Sequence, residues 1–81
     1  MAFSYSDENF TVVGNLCFVH FYVEKQYNDI PPAIADRMLL DDFYCTYLEG
    51  KSPHSAHFKL GKIDCGGRGY LYCYFPIDSN K

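Results

Sequence analysis

The last third of the chain alternates tyrosine with apolar residues. Because successive side chains of a β-strand point to opposite faces, the segment 68–75 predicts a strand with two unlike faces. One face carries Tyr70, Tyr72 and Tyr74, and the other carries Leu71, Cys73 and Phe75. The apolar face is suited to a core, and the tyrosine face is left for solvent or for a partner.

The segment 10–23 consists of two β-rich runs separated by Gly14-Asn15. Glycine at the first position of a two-residue loop favours a type II′ hairpin turn, which pairs Val13 with Leu16 and Phe10 with Val19. The side predicted to face the core carries Phe10, Val12, Cys17, Val19, Phe21 and Val23. The opposite side carries Asn9, Thr11, Phe18, His20 and Tyr22. An uninterrupted strand with a bulge at Gly14 is the alternative.

The middle of the chain predicts a helix over 32–48. Pro32 is tolerated in a first helical turn, and Gly50 is a suitable stop signal. One helical stripe contains Ile34, Met38, Cys45 and Leu48. The run 43–48 is equally rich in aromatic and β-branched residues, so the second half of this segment is alternatively a strand.

A second hairpin is predicted for 57–75, with its turn at Gly66-Gly67. This pairing places Lys59 opposite Tyr74 and Gly61 opposite Tyr72. The predicted apolar face contains Phe58, Leu60, Leu71, Cys73 and Phe75. The predicted polar face contains Lys59, Gly61, Ile63, Arg68 and the three tyrosines.

These elements predict an α+β fold in the order ββαββ. Two hairpins form a four-stranded antiparallel sheet, and the helix packs on one of its faces. The 81 residues suffice for a single compact domain, with loosely ordered ends over 1–8 and 77–81.

Net charge indicates the kind of partner, and the N-terminal sequence indicates the cellular compartment and hence the state of the cysteines. The net charge of −3 favours a basic partner over phosphate or an anionic membrane. The first residues lack a secretory signal, and no apolar run reaches the length of a membrane span, so a cytoplasmic protein is predicted. In that compartment the four cysteines are expected to be free thiols.

The tyrosine strand resembles the third strand of the RNA-recognition motif family, in which alternating aromatic residues stack on bases. The resemblance rests on Arg68-Gly69-Tyr70 and on the aromatic residues Tyr72 and Phe75. It departs from the family at Leu71, where the family has glycine or alanine, and at Cys73, where it has an aliphatic residue. The resemblance implies a sheet that binds single-stranded nucleic acid.

The segment 11–16 is similar to the first-strand motif of the same family. The family continues from that motif into a helix, whereas 17–23 predicts a strand. Only six residues follow Phe75, too few for the last helix and strand of the family. Topology and acidic charge therefore favour a protein partner over nucleic acid.

No group of residues in the sequence dictates a reaction. Cys17 and His20 would point to opposite faces of a strand, and His54 and His57 lack a close cysteine pair, so neither a metal site nor a cofactor is predicted. No Cys-x-x-Cys motif is present. A non-enzymatic protein is therefore expected, with a small thiol or metal enzyme as a further alternative.

The sequence thus predicts a protein-binding module. The preferred form is a small acidic inhibitor or regulator of a larger protein, for example one that handles nucleic acid, of the kind that phages and mobile elements encode. A sheet platform for single-stranded nucleic acid is the alternative function, and a second copy of the chain is an alternative partner. The predicted contact residues are Lys59, Arg68, Tyr70, Tyr72, Tyr74 and Tyr22. An acidic contact face on the predicted helix would consist of Asp36, Asp41 and Asp42.

Overall fold

In the computed structural model, which describes residues 2–81, seven antiparallel strands form one curled sheet, a half-barrel, with one short helix. Met1, part of the end predicted to be loosely ordered, lies outside the described residues. The elements are β1 Phe10–Val13, β2 Leu16–Val23, β3 Tyr27–Asp29, α1 Pro32–Ala35, β4 Asp42–Glu49, β5 Ser52–Lys59, β6 Lys62–Cys65 and β7 Gly69–Pro76. Across the sheet the order is β1-β2-β7-β4-β5-β6-β3.

The prediction of an α+β fold with a packed helix over 32–48 is wrong. The helix α1 has four residues, and 42–49 is the strand β4, as the alternative for 43–48 proposed. β4 pairs with β5 along its full length, from Asp42 opposite Lys59 to Glu49 opposite Ser52. The aromatic residues of 43–48 favour this strand because they pack against the side chains of β5 on the pleated surface.

The first hairpin confirms the predicted register. Val13 lies opposite Leu16 and Phe10 opposite Val19. Gly14, at the first position of the turn, has a φ of 60°, which a type II′ turn requires there. The predicted inner side of this ribbon faces the core, where Cys17 and Val19 are fully buried.

The predicted second hairpin, with β6 paired to β7, is wrong. β6 turns back from β5 through Leu60 and Gly61, whose φ values of 51° and 78° are those of a type I′ turn. Leu60, predicted to lie in the core, is exposed, and Ile63, predicted for the polar face, is buried. β7 pairs instead with β2 over eight residues, from Leu16 opposite Pro76 onward.

One ladder pair, Leu48 with Tyr70, joins β7 to β4 and so connects the two halves of the sheet. Gly69 begins β7 with a φ of 139°. A Cβ at this position would lie 3.0 Å from the carbonyl carbon of Leu48 and would overlap the Leu48 oxygen. Only glycine fits this joint.

The core lies on the inner face of the curled sheet, and the segments outside the sheet pack there. Ile34 of α1 and Ile77 are buried in the same cluster as Phe58 and Phe75. Backbone hydrogen bonds fix the chain ends to this side, because the Phe3 amide donates to the Ser79 carbonyl at 2.7 Å. None of these segments covers the outer face of β2 and β7.

Arg37 ties the ends of the chain to the helix. Its guanidinium lies 3.8 Å from the centroid of the Phe3 ring and donates hydrogen bonds to the carbonyls of Ala33 at 3.0 Å and Lys81 at 3.2 Å. Within residues 2–81, no helix combines the length and the apolar character that crossing a membrane requires.

Candidate functional site

The outer face of β2 and β7 carries six aromatic rings in two adjacent columns. Because the two strands pair directly, each ring of one column lies beside a ring of the other. We call this surface the outer aromatic face. It consists of Phe18, His20 and Tyr22 from β2 and Tyr70, Tyr72 and Tyr74 from β7.

The rings of each cross-strand pair meet at an angle. Tyr22 and Tyr70 lie 5.1 Å apart between centroids at 83°, and His20 and Tyr72 lie 5.4 Å apart at 67°. Such edge-to-face contacts are favourable because the positive edge of one ring meets the negative face of the next. The columns therefore hold each other in place without any covering element.

The tyrosines of this face remain open to solvent. Tyr70, Tyr72 and Tyr74 are 66%, 68% and 61% exposed. Their hydroxyls make no hydrogen bond to another residue between 2 and 81. Leu48 of β4, exposed beside Tyr70, extends the apolar surface across the joint. The face thus offers rings together with free hydroxyl donors and acceptors.

Of the two predicted basic contacts, the structure brings one to this face. Arg68 immediately precedes β7 and lines a small cleft with Tyr22 and Glu24. Lys59 ends β5, which β4 separates from β7, and its ammonium lies 3.9 Å from the carboxylate of Asp42. Its predicted place opposite Tyr74 depended on the β6–β7 hairpin, which does not form.

The three predicted acidic contacts do not share a helical face, since α1 ends at Ala35. Asp36 follows the helix, and Asp41 accepts a backbone hydrogen bond from Leu60 at 3.3 Å. Asp42 lies at the start of β4, on the outer side of the sheet. Its carboxylate is 2.5 Å from the His57 ring nitrogen.

A second outer surface covers β3, β5, β6 and the start of β4. We call it the outer polar face, and its members are Asp29, Asp42, His57, Lys59, Lys62 and Asp64. The hydrogen bond with His57 lowers the pKa of Asp42, and the hydrogen bond with Lys62, at 2.6 Å, lowers the pKa of Asp29. The carboxylates of Asp42 and Asp29 therefore have hydrogen-bond partners within the surface.

Histidine, cysteine and acidic side chains are the candidates for metal binding and thiol chemistry. Among residues 2–81 no three side chains of His, Cys, Asp or Glu converge as metal ligands. All four cysteines are free thiols. Burial raises the pKa of Cys17 to about 11 and raises that of Cys65, which opposes formation of the reactive thiolate at both positions.

The predicted contact list lacks Phe18, His20 and Leu48. The alternation within the first hairpin already places Phe18 and His20 on the same side as Tyr22, so the signal for them was present. Leu48 could be found only if 43–48 was assigned as a strand, because a helix would have turned it toward the core.

Comparison with protein-family models, with curated proteins and with solved structures gives no match. The candidate site therefore rests on its geometry.

Proposed function

We propose that this protein is a non-enzymatic protein-binding module, an acidic regulator or inhibitor that contacts a larger protein through the outer aromatic face. The observation that supports this function most directly is that no segment among residues 2–81 packs over that face. The N-terminal segment, α1 and the C-terminal segment all pack on the inner side. Contiguous exposed apolar area is costly in water, so it is typical of a binding surface.

The chemistry of the face suits a protein partner. Tyrosine is enriched at interface hot spots because it combines a large apolar ring with a hydroxyl that can be paired. The edge-to-face contacts pre-organise these rings, which reduces the entropy lost on binding. Arg68 at one end could pair with a carboxylate, and the net charge of −3 favours a partner with a basic surface.

The same geometry disfavours nucleic acid. A stacking platform presents open ring faces beside lysine or arginine side chains that follow the phosphates. Here the rings stand against one another at angles such as 83°, and the strands β2 and β7 contain no lysine or arginine.

The experiment places a photo-crosslinking amino acid at position 72 and, as a matched control, at position 27. Tyr27 is 62% exposed on β3, away from the aromatic face. After irradiation in an extract of the native host, we expect a discrete crosslinked protein from position 72 and none from position 27. Addition of unlabelled wild-type protein should abolish the crosslink, whereas addition of Tyr70→Ala or Tyr72→Ala protein should not.

Two outcomes would contradict the proposal. A crosslink between two copies of the chain, with a dimer in sedimentation equilibrium, would make the face a homodimer interface. Fluorescence titration that showed tight binding of single-stranded oligonucleotides, lost in Tyr72→Ala, would instead make it a nucleic-acid platform.

A further inference from the structure

Cys45 and Cys73 face each other across the weakly joined strands β4 and β7. Continuing the antiparallel register from the Leu48–Tyr70 pair by three residues places Cys45 opposite Cys73. The next residues on the same face keep this register, because the rings of Phe43 and Phe75 lie 5.7 Å apart. Both cysteines are half-buried at the edge of the core.

The two thiols are close enough to affect each other. Interaction with Cys73 lowers the pKa of Cys45, and interaction with Cys45 raises the pKa of Cys73. Directly opposed residues of an antiparallel pair have Cα atoms about 4.5–5.5 Å apart, which falls within the range of about 4.4–6.8 Å that a disulfide spans. A disulfide between Cys45 and Cys73 is therefore compatible with this register.

A disulfide at this position would strengthen the connection between β4 and β7. Between β4 and β7 the structure has a single ladder pair, whereas β2 and β7 share eight. A cross-link three residues from Leu48 would be a second attachment between the two halves of the sheet.

We propose that Cys45 and Cys73 form a reversible disulfide, closed by hydrogen peroxide and opened by two molecules of a low-molecular-weight thiol, which leave joined as their own disulfide. Deprotonated Cys45 attacks one peroxide oxygen, the O–O bond breaks, and the released hydroxide takes up a proton to become water. The sulfur of Cys73 then attacks the sulfenic acid on Cys45, the S–O bond breaks, and a second water leaves with the proton of Cys73. Two thiols supply the two electrons that reduce one peroxide.

The other two cysteines are poor competitors. Cys17 is fully buried and Cys65 is 2% exposed, so oxidants do not reach them readily. Interaction with the Cys73 thiol lowers the pKa of Cys45, whereas burial raises the pKa of Cys17 and of Cys65. Oxidation should therefore be selective for the facing pair.

The test treats the reduced protein with one equivalent of hydrogen peroxide, blocks remaining thiols with N-ethylmaleimide and maps peptides by mass spectrometry. We expect the Cys45 and Cys73 peptides to be linked, the intact mass to fall by two hydrogens, and Cys17 and Cys65 to be alkylated. Dithiothreitol should reverse the change. The oxidised protein should unfold roughly 10 °C higher than the reduced protein.

Cys45→Ser and Cys73→Ser should each abolish the link, and the matched control Cys65→Ala should retain it. Alkylation of both Cys45 and Cys73 after peroxide treatment would overturn the proposal. So would a link from either residue to Cys17 or Cys65, or conversion of Cys45 to a sulfinic acid without a link. Wild-type mapping decides among these outcomes even where a variant fails to fold.

Discussion

The outer surface of the sheet has two regions that the same strand alternation produces but that differ in what they leave unpaired. On the outer polar face, Asp42 lies 2.5 Å from His57 and Lys62 lies 2.6 Å from Asp29, so its charges have partners. On the outer aromatic face, rings contact rings, and the hydroxyls of the three β7 tyrosines have no partner between residues 2 and 81. Side-chain chemistry, rather than backbone geometry, therefore decides which region keeps polar groups without a partner.

The largest expected effect on stability is at Gly69, where β7 meets Leu48 of β4. One added methyl group should be enough to produce it. Gly69→Ala would place a methyl group inside the Leu48 carbonyl, at a φ of 139° that alanine avoids. We expect the free energy of unfolding to fall by about 3 kcal/mol or more, because both the clash and the strain oppose the β4–β7 pair. Urea unfolding followed by circular dichroism measures this change.

Gly14→Ala is the matched control for Gly69→Ala. Its φ of 60° imposes strain, but nothing lies within 4 Å of the added methyl group. A loss of only about 1 kcal/mol is expected there. Equal losses at the two positions would show that the close approach of β7 to β4 is not what makes Gly69 necessary.

The second prediction concerns the hydrogen bonds between β4 and the loop that leads into β7. The hydroxyl of Tyr47, a buried residue of β4, donates to the Gly67 carbonyl and accepts a hydrogen bond from the Gly67 amide at 2.8 Å. Tyr47→Phe leaves both backbone groups without this partner, so we expect a loss of about 1–3 kcal/mol. Hydrogen exchange should show faster exchange of the Gly67 amide.

Tyr44→Phe is the control for Tyr47→Phe. Tyr44 is 66% exposed and stacks on His57 at 4.3 Å through its ring, which phenylalanine keeps. Stability within about 0.5 kcal/mol of wild type is expected. A comparable loss in Tyr44→Phe would assign the effect to hydroxyl removal in general and not to the loop that leads into β7.

The sequence predicted features that depend on residues close together in the chain, and it failed for pairings between distant segments. The register of β1 and β2 depends on one glycine and two short strands, so the local pattern sufficed. The exposure of Tyr70, Tyr72 and Tyr74 was also predictable, because alternation assigns faces whichever strand lies alongside. The neighbour of β7 was not, since β2 lies about fifty residues earlier in the chain and no turn connects the two.

The helix prediction failed for a different physical reason. The predicted helical stripe of Ile34, Met38, Cys45 and Leu48 includes Cys45, which is also an inward position of the strand β4, so this residue fits both periods. The ladder with β5 decides between them, and no local pattern encodes that ladder. The hairpin at Gly66-Gly67 that was predicted to bring Lys59 and Arg68 to one face does not form, because β6 pairs with β5 and β7 pairs with β2. Lys59 and Arg68 therefore lie in different halves of the sheet.

The third prediction changes the outer polar face without touching the aromatic one. Leu60 is 75% exposed in the turn between β5 and β6, with a φ of 51° that costs a leucine about 1 kcal/mol or more. Asparagine before glycine is the preferred pair in a type I′ turn. We therefore expect Leu60→Asn to raise the free energy of unfolding by about 1 kcal/mol.

Leu39→Asn provides the comparison for that gain. Leu39 is 62% exposed and does not have a positive φ, so it loses the same apolar side chain without relief of strain. Thermal unfolding of both variants should show a gain for Leu60→Asn alone. A similar gain in both would indicate that removal of surface leucine, and not turn geometry, is responsible.

The smallest expected effect tests whether the outer polar face neutralises its own charges. The hydrogen bond with His57 lowers the pKa of Asp42 in the folded protein. A carboxyl with a lowered folded pKa stabilises the protein above its unfolded pKa of about 3.9, and that stability is lost as the pH falls through the folded value. Asp42→Asn should therefore be slightly less stable than wild type near neutral pH, and the difference should disappear in strong acid.

Urea unfolding across this pH range measures the difference in stability. Asp36→Asn is the control, because the Asp36 carboxylate makes no hydrogen bond or ion pair within residues 2–81. A difference that persisted at low pH would mean that Asp42 acts through packing, and the contrast between a self-neutralised face and an unpaired aromatic one would then rest on the Lys62–Asp29 pair alone.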